Sequence, residues 1–62
     1  MSRNLIASAA TKANLEKLIN EYYLSNSYVV TEDNRIYNTK RENYLDGARV
    51  VVKRNRWRFE RV

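Results

Sequence analysis

The residues of this chain best suited to chemistry are basic and lie close together near its C-terminal end. Residues 47–62 hold six basic side chains and the single acid Glu60, while residues 1–46 hold equal numbers of each sign, so this segment carries the whole net charge of +5. Such an asymmetry is typical of a surface that binds a polyanion or an acidic partner. The six residues are Arg49, Lys53, Arg54, Arg56, Arg58 and Arg61. Arginine predominates, and because guanidinium groups fork onto phosphates and stack on bases, this favours nucleic acid.

The side chains of most catalytic and metal sites are missing. The sequence has no cysteine and no histidine, which excludes disulfides, Cys/His zinc sites, thiol nucleophiles and histidine acid–base catalysis. The adjacent acids Glu32 and Asp33 fall in a predicted turn, without the converging oxygens that a hard cation needs. A chain of this length buries only roughly 60% of its unfolded surface, so we expect no deep substrate cavity. We therefore expect no enzyme activity, no catalytic residue, no metal site and no cofactor.

The first element that could position these residues is an amphipathic helix, predicted from Ala13 to Leu24. Thr11 is the expected N-cap, because its hydroxyl can accept a hydrogen bond from a free amide of the first turn. We expect residues 1–10 to form an arm or a frayed helix start and residues 11–62 to form a single small domain. The apolar residues recur at helical spacing and form one stripe, made of Leu15, Leu18, Ile19 and Tyr22.

A β-hairpin is predicted after the helix, where the apolar spacing changes to alternation. Its strands are residues 28–31 and 35–38, and residues 32–34 form its loop. A loop of this length places Val30 opposite Ile36 and requires a left-handed residue, for which Asn34 is suitable. The same register pairs Tyr28 with Asn38 and puts Val29 and Tyr37 on the other face.

Residues 39–47 have two interpretations. Thr39 and Glu42 have the spacing of a capping box, and Gly47 suits the left-handed end of a helix, so the first interpretation is a short helical turn over residues 40–45. The second is a hairpin through Asp46 and Gly47, but its register would put polar side chains in line with valines. We favour the helical turn.

The C-terminal segment predicts a second hairpin, which sorts apolar from basic side chains. A two-residue turn at Arg54-Asn55 pairs Val52 with Trp57 and Val50 with Phe59 on one face. The opposite face then collects Val51, Lys53, Arg56, Arg58 and Glu60, with Arg54 at the tip and Arg49 nearby. Alternation along the strands thus predicts a basic plate backed by an aromatic core.

Tyrosines are the aromatic residues with most freedom to contact a ligand. The pairing of Trp57 with apolar residues assigns it to the core, and the helical stripe assigns Tyr22 there as well. Tyr23 lies just off that stripe and suits either a protein contact or the edge of the fold. Tyr37 and Tyr44 remain as the candidates for stacking on unpaired bases.

Together the elements predict an α+β fold, with the N-terminal helix packed on a small antiparallel sheet of three or four strands that ends in the basic β-hairpin. The first hypothesis is a non-enzymatic module that binds DNA or RNA through the basic hairpin. The alternative is a protein-interaction or inhibitor module that docks the same face on an acidic partner, a role that would suit a protein of a phage or mobile element.

Two further expectations concern assembly and location. The terminal hairpin has no proline to block pairing of its edges, so a homodimer is a third reading, unless its arginines guard the edge. No apolar stretch of the sequence is long enough to cross a bilayer, and the first residues do not form a signal peptide. We expect a cytosolic protein with no membrane partner.

Overall fold

Six strands and one helix make up the regular structure of residues 4–62, the part of the chain that this computed structural model describes; residues 1–3 lie outside it. The strands form two antiparallel three-stranded sheets, ordered β1-β6-β5 and β2-β3-β4. The predicted α+β class is confirmed, but two sheets replace the single one. In chain order the elements are β1 (Leu5–Ala9), α1 (Lys12–Tyr22), β2 (Tyr28–Val30), β3 (Ile36–Asn38), β4 (Asn43–Tyr44), β5 (Ala48–Lys53) and β6 (Arg56–Arg61).

The segment expected to be an arm contains a strand. β1 pairs with the central strand β6, with Ala7 opposite Phe59 and Ala9 opposite Trp57. Alanine has a low strand propensity, so the local pattern of residues 5–9 does not predict a strand. Their small side chains fit beside the two large aromatic residues of β6, and Ala9 is buried. Tertiary packing therefore overrides local propensity in this segment.

The helix begins at the predicted cap. The backbone amide of Asn14 donates a hydrogen bond of 3.2 Å to Oγ1 of Thr11, which confirms Thr11 as the N-cap. The helix ends at Tyr22, two residues before the predicted Leu24. The amide of Ser25 donates to the carbonyl of Asn20 at 2.9 Å, and Leu24 between them has a left-handed φ of 52° and a 94% exposed side chain. This geometry closes the helix without a glycine.

The core lies between α1 and the two sheets, and two residues assigned to it from the sequence are largely exposed. Tyr22 is 49% exposed, although its ring lies edge-on to Phe59 at 5.9 Å. Tyr23 is more buried and packs against the core, with its ring centroid 6.1 Å from that of Phe59 and 4.8 Å from that of Tyr28. Val52 is 44% exposed, because it lies beside the hairpin tip. Trp57 is half-buried against the core. The buried apolar residues are Ala9, Leu15, Ile19, Val30, Ile36, Val50 and Phe59.

The hairpin of β2 and β3 has the predicted register. Val30 lies opposite Ile36, and Tyr28 lies opposite Asn38. The amide of Thr31 donates to the carbonyl of the loop residue Arg35 at 2.8 Å. Asn34 is left-handed, with φ of 61°, as this loop requires.

Neither interpretation of residues 39–47 was correct. These residues turn back into β4, which pairs with β3. The Thr39 hydroxyl donates to the carbonyl of Ser27 at 3.1 Å instead of capping a helix. Oδ1 of Asn38 accepts hydrogen bonds from the backbone amides of Lys40 and Arg41, at 3.0 and 3.1 Å. These bonds stabilise a turn at Asn38 in place of the predicted helical turn. Gly47 is left-handed, with φ of 86°, but it connects the two sheets and ends no helix.

Candidate nucleic-acid interface

The β1-β6-β5 sheet has two chemically different faces. Val50 and Phe59 lie opposite each other in the register and belong to the core on which α1 packs; we call this side the inner face. Because side chains alternate along a strand, the residues between them project from the other side, which we call the outer face. No helix packs on the outer face within residues 4–62. The outer face carries Ser8, Arg49, Val51, Lys53, Arg56, Arg58 and Glu60.

Four basic residues and one hydroxyl surround a shallow depression at the hairpin tip. Its volume is about 320 Å³, and we call it the basic cup; it is lined by Ser8, Lys53, Arg54, Arg56 and Arg58. Nη2 of Arg56 donates a hydrogen bond of 3.2 Å to Oγ of Ser8, which joins the β1 edge to the hairpin. Lys53 and Arg56 are direct cross-strand partners, so two positive charges face each other next to the turn. Like charges in this position cost stability, and an anion between them would relieve that cost.

Sequence reasoning missed Ser8. It lies opposite Arg58 in the register of β1 and β6, but the sequence assigned residues 1–10 to an arm. The only available signal was the small residues on either side of Ser8, which are compatible with a strand placed against large aromatic residues. Nothing local to the segment specifies that pairing.

Glu60, the acidic residue of the outer face, forms ion pairs with two arginines of that face. One carboxylate oxygen of Glu60 accepts a hydrogen bond of 2.8 Å from Nε of Arg58, and the other oxygen lies 3.7 Å from Nη2 of Arg49. The hydrogen bond from Arg58 is the main cause of a pKa of Glu60 below its usual range. These are the ion pairs of residues 4–62, so Lys53, Arg54 and Arg56 keep their charges without a carboxylate partner. Positive charge is therefore concentrated at the basic cup.

Replacing Glu60 by glutamine should strengthen anion binding. The substitution removes the negative charge of the outer face and frees the Arg58 and Arg49 guanidinium groups, so we expect a several-fold higher affinity for nucleic acid at low salt and a steeper salt dependence. Acid should have a similar effect on the original protein, because protonation of Glu60 removes its negative charge and its ion pairs. Since the pKa of Glu60 is lowered in the folded state, the stability that these ion pairs contribute is lost as the pH falls through that pKa. Unchanged affinity in Glu60→Gln would mean that the charge of the outer face does not control binding.

The turn at the tip has an unfavourable residue in its first position. Arg54 and Asn55 both have left-handed backbones, with φ of 53° and 63°. A two-residue turn with this geometry prefers Asn-Gly, and a residue with a bulky side chain is strained there by roughly 1 kcal/mol. Arg54 also lines the basic cup, where its charge lies beside those of Lys53 and Arg56.

This strain predicts opposite effects on stability and binding. Arg54→Asn should raise the free energy of unfolding by about 0.5–1 kcal/mol and lower the affinity for nucleic acid. Asn55→Gly is the matched control, because it relaxes the same turn and keeps every charge, so it should stabilise the fold without changing affinity. Urea denaturation and fluorescence anisotropy measure the two quantities. If both variants bind like the original protein, Arg54 makes no contact.

Arg61 does not belong to the basic cup. It follows Glu60 in β6, so alternation turns it to the inner face, where its Nη2 lies 3.5 Å from the hydroxyl of Tyr22. The structure thus groups four of the six predicted basic residues at the tip, places Arg49 farther along the outer face beside Glu60, and separates Arg61 from both.

The two tyrosines predicted to stack on bases lie on the other sheet. Tyr37 and Tyr44 are cross-strand partners in β3 and β4, with ring centroids 5.1 Å apart and edge-to-face geometry. The guanidinium carbon of Arg35 lies 3.9 Å from the centre of the Tyr44 ring, in a cation–π contact. One face of that ring is therefore occupied, and neither tyrosine lines the basic cup.

The adjacent acids Glu32 and Asp33 form no metal site with the other acidic residues that the structure describes. Asp33 accepts a hydrogen bond from the Thr31 hydroxyl, which is the main cause of its lowered pKa, and Glu32 beside it is exposed in the same loop. Across residues 4–62, no three acidic side chains come close enough to hold a metal ion together. No helix in the same range is long and apolar enough to cross a bilayer.

Comparison with known proteins adds no family. No family model matches the chain, and neither a curated protein nor a solved structure matches it. The function must therefore be inferred from the geometry and charge of the outer face.

Proposed function

We propose that this protein is a non-enzymatic nucleic-acid-binding module that holds backbone phosphates in the basic cup. The observation that carries the proposal is the grouping of Lys53, Arg54, Arg56 and Arg58 around the Ser8 hydroxyl on an open sheet face. Phosphate contacts come typically from arginine, lysine and hydroxyl side chains, which are the groups that line this cup.

The electrostatics of the face support a repeated anion as the ligand. Glu60 pairs with Arg58 and Arg49, which leaves the charges of Lys53, Arg54 and Arg56 without a carboxylate partner among the described residues. A polyphosphate strand would neutralise several cations at once and release its condensed counterions, which is the main source of affinity in such complexes.

The outer face supports a role in positioning the nucleic acid more directly than a role in reading its sequence. Cations placed around a shallow depression contact phosphates, which carry no sequence information. The predicted stacking residues Tyr37 and Tyr44 lie on the other sheet, and Trp57 is turned to the inner face. We therefore expect binding with weak sequence preference.

Fluorescence anisotropy of labelled duplex DNA, single-stranded DNA and RNA, at low and near-physiological salt, tests the proposal. If Lys53, Arg54 and Arg56, the cup cations that have no carboxylate partner among the described residues, each neutralise a phosphate of duplex DNA, the slope of log K against log salt should be about −2.7, from about −0.9 per phosphate. No binding to any of the three ligands at low salt would overturn the proposal. Retention of an acidic protein under those conditions would favour the docking alternative.

A further inference from the structure

We propose that two copies of this chain pair through β5 to form one continuous six-stranded sheet. β5 is an outermost strand, because the sheet order is β1-β6-β5. It is six residues long and has neither a proline nor a register shift, two of the devices that protect an edge; a third, charge, is present as Arg49 and Lys53 and restricts the register. The opposite edge, β1, does have a register shift, between Leu5 and Ala7, which disfavours pairing there.

The hydrogen-bonding groups of β5 that face outward can be assigned from its hairpin. Lys53 and Arg56 flank a two-residue turn and so form a hydrogen-bonded pair. At the other end of the hairpin, the Val62 amide donates a hydrogen bond of 2.9 Å to the carbonyl of Gly47, which is also an odd-numbered residue. The odd-numbered residues of β5 therefore bond to β6. Ala48, Val50 and Val52 direct their amide and carbonyl groups to the open edge, where a second strand can accept and donate.

Charge selects one register for two antiparallel copies of β5. If Val50 lies opposite Val50 of the second copy, Arg49 lies opposite Val51, and no like charges meet. Sliding the copies by two residues in one direction puts Arg49 opposite Lys53, and sliding in the other direction puts Arg49 opposite Arg49. Like charges in directly opposite positions are destabilising. An odd slip is excluded because it would put inner-face residues of one copy beside outer-face residues of the other.

The same register covers an exposed apolar side chain. Val52 lies on the inner face and is 44% exposed. In the paired sheet it lies opposite Ala48 of the second copy, which continues the apolar inner face across the new junction. The two outer faces also join, and the two hairpin tips point in opposite directions, roughly 27 Å apart along the strands at about 3.3 Å per residue. The dimer thus has two basic cups related by a two-fold axis.

Sedimentation equilibrium of the full chain without nucleic acid, over a range of protein and salt concentrations, measures the pairing. Because each copy carries a charge of +5, screening should strengthen the dimer as salt rises, the reverse of the salt effect on nucleic-acid binding. Val52→Pro should weaken dimerisation by about tenfold or more, because each copy loses an outward-facing amide without losing a bond to β6. Val52→Ile keeps the amide, the branched shape and the apolar side chain, so it should dimerise like the original chain.

Disulfide trapping reads the register, since the chain has no cysteine of its own. Arg49→Cys and Val51→Cys lie on the outer face, and the proposed register makes them direct neighbours across the two copies. A mixture of the two variants should form a mixed disulfide readily, while Val51→Cys alone should form little. A self-disulfide of Val51→Cys, which retains Arg49, would show a shifted register and overturn the proposed one. A monomer at every protein and salt concentration would overturn the pairing itself.

Discussion

Replacing Lys53, Arg54 and Arg56 together by glutamate should abolish nucleic-acid binding, with a loss in affinity of about 100-fold or more near physiological salt. The three side chains are the cations of the basic cup that no carboxylate of the described residues neutralises. Their reversal turns an attractive surface into a repulsive one. The fold should survive, because the cross-strand pair of residues 53 and 56 has like charges both before and after the change. Fluorescence anisotropy measures the affinity, and circular dichroism checks the fold.

A charge-matched variant separates the basic cup from net charge. Lys17, Lys40 and Arg41 are exposed residues of α1 and of the turn before β4, away from the outer face. Changing these three to glutamate alters the total charge by the same amount, so we expect only a few-fold loss in affinity. Equal losses in the two triple variants would show that overall charge, and not the basic cup, determines binding.

Replacing Phe59 by alanine should leave the protein largely unfolded. Phe59 is fully buried in the central strand β6, and the rings of Tyr22 and Tyr23 pack edge-on against it at 5.9 and 6.1 Å. Removing a buried phenylalanine costs about 3–5 kcal/mol. A single small core rarely supplies more than about 3–5 kcal/mol of stability, so the loss is comparable to the total. Urea denaturation followed by tyrosine and tryptophan fluorescence measures the change.

Two controls make the Phe59 result specific. Phe59→Leu keeps most of the apolar volume and should remain folded with a lower denaturation midpoint. Leu24→Ala removes an apolar side chain that is 94% exposed, so it should change the free energy of unfolding by no more than about 0.5 kcal/mol. An alanine variant of Phe59 with the original midpoint would contradict the packing described for β6.

Local sequence patterns predicted the two hairpins well. The alternation around Val50 and Phe59 fixes their register, because a two-residue turn at Arg54-Asn55 leaves no freedom in which residues meet. The chemistry of Asn34 does the same for β2 and β3. Both features depend on residues close together in the chain, so the basic face of the hairpin was predictable.

Long-range pairing accounts for most of what the sequence did not predict. β1 is specified by its fit to Trp57 and Phe59, about fifty residues away along the chain, and no local pattern records that contact. Ser8 was missed for this reason. The misassignment of Tyr22 has a different cause, because both adjacent tyrosines lie edge-on to Phe59. Tyr23 is the more buried of the two, since it also packs against Tyr28.

The central position of β6 has a consequence for the order of folding. β6 is last of the described elements in the chain, yet it contacts both β1 and β5. During synthesis, β1 therefore has no partner strand until residues 56–61 have emerged from the ribosome. Closing so long a segment is slow relative to local hairpin formation. The basic cup thus forms in one late step, because a nascent chain that ends before Arg56 contains Ser8 and Lys53 but lacks the strand that lies between them.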